Sequence, residues 1–330
     1  MDDNNAQYDE GFVDVGDGHQ IYYGQHGNPY GVPIVYVHGG PGARTYPSNA
    51  ALVDLTKYRF IRFDQRGTGL SQYTEQLKGQ TIANQVQDME ALRNHLNVDK
   101  WVLFGGSYGT TLSSHYRIAY PENVSAHVMR AMFFGDEEGA RHISDGGGYG
   151  AAYAVHSDTL NEATLVDPWL AYTNYPQTID PALKYVDFIT AYNQLMNCGD
   201  PNVETQAGLI FDRMDTAIAT AVPNSALINA LDETPEESLN LTRLFFHYAQ
   251  NEFTPHCKRN ILAGLNATSH IPTTLIHGKR DFICPVRNAE AVKAACPDVK
   301  VVLVDNAGHS LADKPLHDTV IKLFKGRTIG

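Results

Sequence analysis

Gly105-Gly106-Ser107-Tyr108-Gly109 is a G-x-S-x-G pentapeptide placed directly after the apolar run Trp101-Val102-Leu103-Phe104. The segment that follows, Thr110 to Ala119, reads as a helix. A serine on a tight strand-to-helix turn is forced into a strained backbone that lifts its Oγ clear of the sheet, and flanking glycines let neighbouring backbone pass close by. Ser107 is therefore the candidate nucleophile. Its partners are expected in the order serine, acid, histidine. The strand Thr273 to His277 runs into Gly278-Lys279-Arg280-Asp281, and the strand Val299 to Val304 runs into Asn306-Ala307-Gly308-His309-Ser310. Both polar residues fall just beyond the C-terminal ends of strands, the edge at which open α/β sheets bind ligands. Asp281 is the candidate orienting acid and His309 the candidate general base.

Acyl transfer also needs two donors aimed at the developing oxyanion. One is the backbone N–H of Tyr108, the residue after the nucleophile. The other is assigned to Gly40 in the loop His38-Gly39-Gly40-Pro41-Gly42, which ends the strand Pro33 to Val37. Gly39 beside it is a candidate for substrate contact, since a residue without Cβ lets a ligand approach the main chain.

These loops need a sheet to hold them. Phe12 to Val15 and Gln20 to Tyr23 flank Gly16-Asp17-Gly18 and read as an antiparallel hairpin. Strands are expected at 34–37, 59–63, 101–104 and 125–133. A helix is expected over Thr81 to Leu96, where Ile82, Val86, Met89 and Leu92 recur at helical spacing. This alternation predicts the α/β class, with a mostly parallel central sheet and helices on both faces. From about residue 135 the composition changes. Asp136-Glu137-Glu138-Gly139 and the glycines at 146–148 mark a boundary, and helical patterns follow at 182–197 and 239–249. Residues 135–266 read as a helical cap inserted into a catalytic domain made of 1–134 and 267–330.

Composition narrows the function classes. In a chain of 330 residues, 43% hydrophobic and 19% charged residues are ordinary for a globular protein. A net charge of −12 argues against nucleic acid or an anionic membrane as partner. Four cysteines without C-x-x-C spacing fit reduced thiols in the cytoplasm. The polar start, Met1 to Asn5, has no secretory pattern, and no run of about 18 apolar residues offers a membrane span. Fourteen histidines show no H-E-x-x-H spacing, so neither a metal nor another cofactor is expected.

The chain resembles the proline iminopeptidase (prolyl aminopeptidase) family of α/β-hydrolases. The resemblance rests on the His38 to Gly42 loop, on Phe63-Asp64-Gln65-Arg66-Gly67-Thr68-Gly69-Leu70-Ser71 and on the Ser107 pentapeptide. His277 to Asp281 with Cys284-Pro285, and Ala307 to Ser310, complete it. Asp64 and Arg66 are expected to fix a loop near the oxyanion hole rather than to react. The resemblance implies a serine hydrolase that removes an N-terminal proline or small residue through an acyl-enzyme. The alternative is a related hydrolase acting on an ester, lactone or acyl amide without a free amine.

Members of this family grip the substrate N-terminus with two acidic cap residues, one in a W-x-x-W-E segment and one in an I-E-N-H-Y-F segment. Here the first resembles Phe211-Asp212-Arg213-Met214-Asp215, leaving Asp215 as a shortened acid. The second resembles Leu244-Phe245-Phe246-His247-Tyr248, with Phe245 in the acidic position. Asp215 and Phe245 are thus the candidate substrate-binding residues, with Glu252 or the Asp136 to Glu138 cluster as possible substitutes for the missing acid. The expected partner is a small peptide, amide or ester.

Overall fold

The computed structural model describes residues 7–158, 162–326 and 329–330; the polar start, Met1 to Asn5, lies outside them. Nine strands form one sheet: β1 Gln7–Gly16, β2 His19–Gly27, β3 Val32–Val37, β4 Tyr58–Phe63, β5 Gln72–Tyr73, β6 Trp101–Gly106, β7 Val124–Arg130, β8 Thr273–Gly278 and β9 Lys300–Val304. Their spatial order is β1-β2-β4-β3-β6-β7-β8-β9, with β5 paired to β2. The β1–β2 hairpin joins β4 antiparallel, and every pair from β4 to β9 is parallel. The inner strands are buried on both faces, which is why they read as continuous apolar runs rather than alternating ones.

One face is covered by the helices Ile82–His95 and Tyr108–Ala119, whose Met89, Leu92, Leu112 and Tyr116 pack with Val35 and Leu103 of the sheet. The other carries Lys314–Lys325, which sets Leu316, Val320 and Phe324 against Ile34, Phe60 and Phe104. The Phe104 and Phe324 rings are centred 4.7 Å apart. Thr81 starts the first of these helices by accepting from the Asn84 N–H, so the periodic run begins at the capping residue.

Several boundaries differ from expectation; both hairpin strands run longer than 12–15 and 20–23, and three further differences have a visible form. The strand expected to reach residue 133 stops at Arg130, because Ala131 turns out of the sheet with φ 54°. The helix expected over 182–197 is broken: a 3₁₀ turn, Pro181–Tyr185, precedes an α-helix, Phe188–Leu195. Asp187 causes the break by taking an extended conformation and accepting from the Thr190 N–H. The helix expected over 239–249 is longer, Pro235–Asn251.

Between β7 and β8 the described residues are helical and add no strand to the sheet. The longest helices there are Glu162–Ile179, Pro201–Ala217 and Pro235–Asn251, joined by an aromatic cluster of Tyr172, Tyr192, Phe211, Phe245 and Phe246. The last helix of the segment, Cys257–Ala267, instead packs Ile261 and Leu265 with Met129 and Leu275 of the sheet. Among the described residues no helix is long and apolar enough to cross a membrane.

Candidate active site

Ser107 occupies the junction between β6 and the helix Tyr108–Ala119 with φ 56° and ψ −127°, a conformation that side chains other than glycine rarely adopt. The tightness of the turn sets the flanking residues. A Cβ on Gly109 would stand 2.1 Å from the Val37 carbonyl oxygen, and one on Gly105 would stand 2.3 Å from that of Gly109. The glycine loop after β3 runs against the serine itself, since a Cβ on Gly39 would lie 2.9 Å from the Ser107 Cβ. Tyr108 is the first residue of its helix, so its N–H has no intrahelical acceptor. Its ring is fully buried and its hydroxyl donates to Gln85 at 2.7 Å, which leaves the main chain as the part that faces chemistry.

Asp281 and His309 meet across the loops after β8 and β9. The His309 Nδ1–H donates to the Asp281 carboxylate, with Oδ2 at 2.9 Å and Oδ1 at 3.2 Å. Oδ1 also accepts from the N–H groups of Ile283 and Cys284. Burial pushes the Asp281 pKa upward, but the facing His309, His277 and these donors hold it below the ordinary carboxylate range. His277 bonds the Cys284 carbonyl through Nε2 and accepts from the Met132 N–H, tying the β8 end to the loop after β7. The other nearby acids are engaged elsewhere: Asp305 pairs with Lys279 at 2.8 Å, and Asp313 accepts from the N–H groups of Gly308 and Ala221.

The glycine loop is braced by the Asp64 to Ser71 segment. Asp64 is fully buried and accepts from the Thr45 N–H and hydroxyl and from the Leu70 N–H. Gln65 donates through its amide to the His38 carbonyl and through its N–H to His38 Nε2. Burial lowers the proton affinity of His38 against the opposing pull of Asp64, so the ring is neutral and serves as an acceptor there. Arg66 reaches away from this loop and grips Asp88 of the helix Ile82–His95 with two bonds of 2.5 and 2.6 Å.

Ser107 and His309 open onto one cavity of about 300 Å³, walled by Gly39, Gly40, Arg130, Phe211, Asp212, Asp215, Leu241 and Phe245 among others. No direct hydrogen bond joins the Ser107 hydroxyl to the imidazole among the described residues, and such bonds often tighten only with substrate in place. Cys284 lies beside the serine, its thiol kept protonated because burial raises its pKa far above the usual value. The helices Pro201–Ala217 and Pro235–Asn251 supply the wall facing the sheet.

The residues singled out in the sequence around Ser107 border this cavity or the loops that shape it, apart from Arg66, which holds Asp88 instead of the glycine loop, and the proposed substitutes for the missing acid. Glu252 accepts from the Ile82 N–H at the start of a helix. Asp136 caps the helix Glu137–Ser144, Glu137 pairs with Arg141, and Glu138 lies near Lys258 and Arg287. Phe245 is stacked on Phe211 with centroids 5.1 Å apart and is 3% exposed, so an apolar wall stands where the resemblance implies an acid. Asp212 and Arg130 escaped the sequence reading. The signal for Asp212 was its position three residues before Asp215, on the same helical face.

Residues 32–141 match the α/β hydrolase fold family. A proline iminopeptidase of Neisseria meningitidis is 30% identical over 315 residues, covering 96% of this chain and 94% of that protein. The proline iminopeptidase of Arabidopsis thaliana is 30% identical over 308 residues, 93% of this chain and 76% of its own length. Among solved structures, an esterase from Exiguobacterium antarcticum superposes with a TM-score of 0.62 at 17% identity, over 95% of this chain and 98% of that one, a likeness of fold. With the Ser107 turn, the Asp281–His309 pair and the glycine loop around one cavity, this relationship over nearly the whole chain has one reading. The chain is a hydrolase and belongs to the proline iminopeptidase family of α/β-hydrolases.

Proposed function

We propose that the protein releases an N-terminal proline or small residue from a peptide or amide, with Ser107 as nucleophile, His309 as general base and Asp281 as its orienter. The observation that carries this reading is the shared cavity: Ser107 and His309 face it together with Asp215, a carboxylate with no hydrogen-bond or ion-pair partner among the described residues. Its volume lies at the small end of the roughly 300–1,000 Å³ typical of ligand pockets. That suits a terminal residue rather than the middle of a long chain.

In this reading the Ser107 Oγ attacks the carbonyl carbon of the terminal residue while His309 Nε2 takes its proton. The oxyanion is held by the N–H groups of Tyr108 and Gly40, which stabilise the charge as it develops. His309 then passes the proton to the leaving nitrogen, the C–N bond breaks, and water, activated by the same imidazole, hydrolyses the acyl-enzyme. Asp281 fixes the tautomer and stabilises the imidazolium. The substrate ammonium is held by Asp215, and Phe245 and Gly39 shape the walls around it.

We read residues 135–266 as a cap inserted into the catalytic domain of 1–134 and 267–330, a reading supported by the helices that wall the cavity. Four free cysteines, three of them buried, support a reducing, cytoplasmic setting. The apolar stack at Phe245 favours one other reading, a hydrolase for esters or acyl amides without a free amine. Turnover of proline p-nitroanilide, its N-acetyl form and a p-nitrophenyl ester separates the two. A preference of ten-fold or less for the free amine over the N-acetyl form would favour the second, by the order of magnitude that one charge-assisted hydrogen bond supplies.

A further inference from the structure

Asp212 and Asp215 stand three residues apart on the helix Pro201–Ala217, a spacing that puts two side chains on one face. Both line the cavity that holds Ser107 and His309. Asp212 is 8% exposed. Ser238 donates to its Oδ2 at 2.7 Å, and the Thr216 hydroxyl lies 3.4 Å from Oδ1. An ionised carboxylate has about four acceptor sites, so these neighbours leave Asp212 with acceptor capacity to spare. It also borders the adjoining cavity lined by Glu236 and Glu237, which places it where the two spaces meet.

The charges around this pair are unbalanced. Arg44 and Arg130 line the same cavity, but Arg44 pairs with Glu237 and lies over the Tyr46 ring, while Arg130 donates to the His309 carbonyl. Neither forms a salt bridge with Asp212 or Asp215 among the described residues. Burial raises the pKa of both acids; the charges of Asp212 and Asp281 add to the rise at Asp215, and that of Glu237 adds to it at Asp212. Two enclosed carboxylates without a cation form a site that a positive ligand would relieve.

We infer that Asp212 is the second carboxylate of the amine-binding site, set beside Asp215 on the same face of one helix. This rests on the aminopeptidase reading above and deepens it. The protonated nitrogen of an N-terminal proline carries two N–H donors, and a pair of carboxylates gives each its own charge-assisted acceptor. Phe245 then lies against the ring carbons instead of competing for the nitrogen. Specificity is divided accordingly: the helix Pro201–Ala217 reads the charge, and the aromatic stack reads the apolar ring.

The test compares wild type with Asp212→Asn, Asp212→Glu and Ser238→Ala, using proline p-nitroanilide, N-acetyl-proline p-nitroanilide and p-nitrophenyl acetate. Wild type should prefer the free amine over its acetylated form. Asp212→Asn should lower the ratio of kcat/KM for proline p-nitroanilide to that for p-nitrophenyl acetate by about ten-fold or more, chiefly through KM. Asp212→Glu should recover part of that loss, and Ser238→Ala should lose much less than Asp212→Asn. If the ratio is unmoved in Asp212→Asn while wild type keeps its preference, Asp212 is not in the amine site. Equal losses in Ser238→Ala and Asp212→Asn would assign a structural role and overturn the inference in the same way. Should wild type show no preference for the free amine, the aminopeptidase reading falls, and this inference with it.

Discussion

His309 donates its main-chain N–H to the carbonyl of Ala219 at 2.8 Å, so the histidine loop is tied to the end of a helix that walls the cavity. Ser310 donates to the same oxygen, and Asp313 bridges the N–H groups of Gly308 and Ala221. The proposed base is thus held between sheet and helical segment. Asp313→Ala removes the bridge without touching the Asp281 contact. We expect kcat to fall by about ten- to a hundred-fold for amine and ester substrates alike, the scale of a misplacement near 1 Å. Steady-state kinetics on both substrates would check this; a loss confined to KM would contradict it.

Ser107→Ala should lower kcat by roughly 10⁴ or more while leaving the fold intact. A fluorophosphonate should label Ser107, located by peptide mass mapping. Ser113 and Ser114 are fully buried in the helix that follows, and the Ser113 hydroxyl donates to the Gly109 carbonyl, so labelling at either would refute the assignment.

Asp215 gives the pH dependence its sign. Burial, then the charges of Asp212 and Asp281, raise its pKa to about 8. Below that pH it is neutral and forms no ion pair with an ammonium; above it the ion pair is available. An α-amino group itself loses its proton near 7.7–8.0, so the preference for free-amine substrates should peak at about pH 8. Asp215→Asn should flatten the acid limb of that profile, read as the kcat/KM ratio of proline p-nitroanilide to its N-acetyl form.

The same group affects stability. Its folded pKa lies above the unfolded value of roughly 3.9, so between about pH 4 and 8 the folded state binds more protons and stability falls as pH rises. Asp215→Asn removes this loss. Its Tm advantage over wild type should therefore grow from pH 5 to pH 8, by about 2 °C or more in a thermal scan.

Arg66 and Asp88 are buried together, and Arg66 also donates to the Gly79 carbonyl. Burial raises the Asp88 pKa to about 6 against the pull of Arg66, so removing the arginine leaves an acid with little to hold its charge. Arg66→Met should cost about 3–5 kcal/mol, and Arg66→Met with Asp88→Leu should recover most of it. Urea titration of the three proteins would measure both values.

Much of this was legible because the signals are local. The Ser107 turn, the Gly16-Asp17-Gly18 hairpin and the helical spacing from Ile82 to Leu92 each declare themselves within a few residues, and the buried parallel strands announce themselves as apolar runs. What was missed depends on tertiary surroundings. Asp212 reads as an ordinary polar residue on a surface helix until Ser238 and the cavity enclose it. Glu252 reads as a spare acid until it is found at the Ile82 N–H. The break at Asp187 was hidden because the apolar spacing on either side continues across it, while a single side-chain cap interrupts the helix.

The left-handed backbone at Ser107 sets the proposed chemistry against durability at a single position. A non-glycine residue held in such a conformation costs of order 1–3 kcal/mol, and glycine would release that strain. Selection for heat resistance alone would therefore discard the proposed nucleophile. Retaining serine there means accepting a less stable chain for the sake of a reactive one, and any search for hardier variants has to score turnover alongside melting.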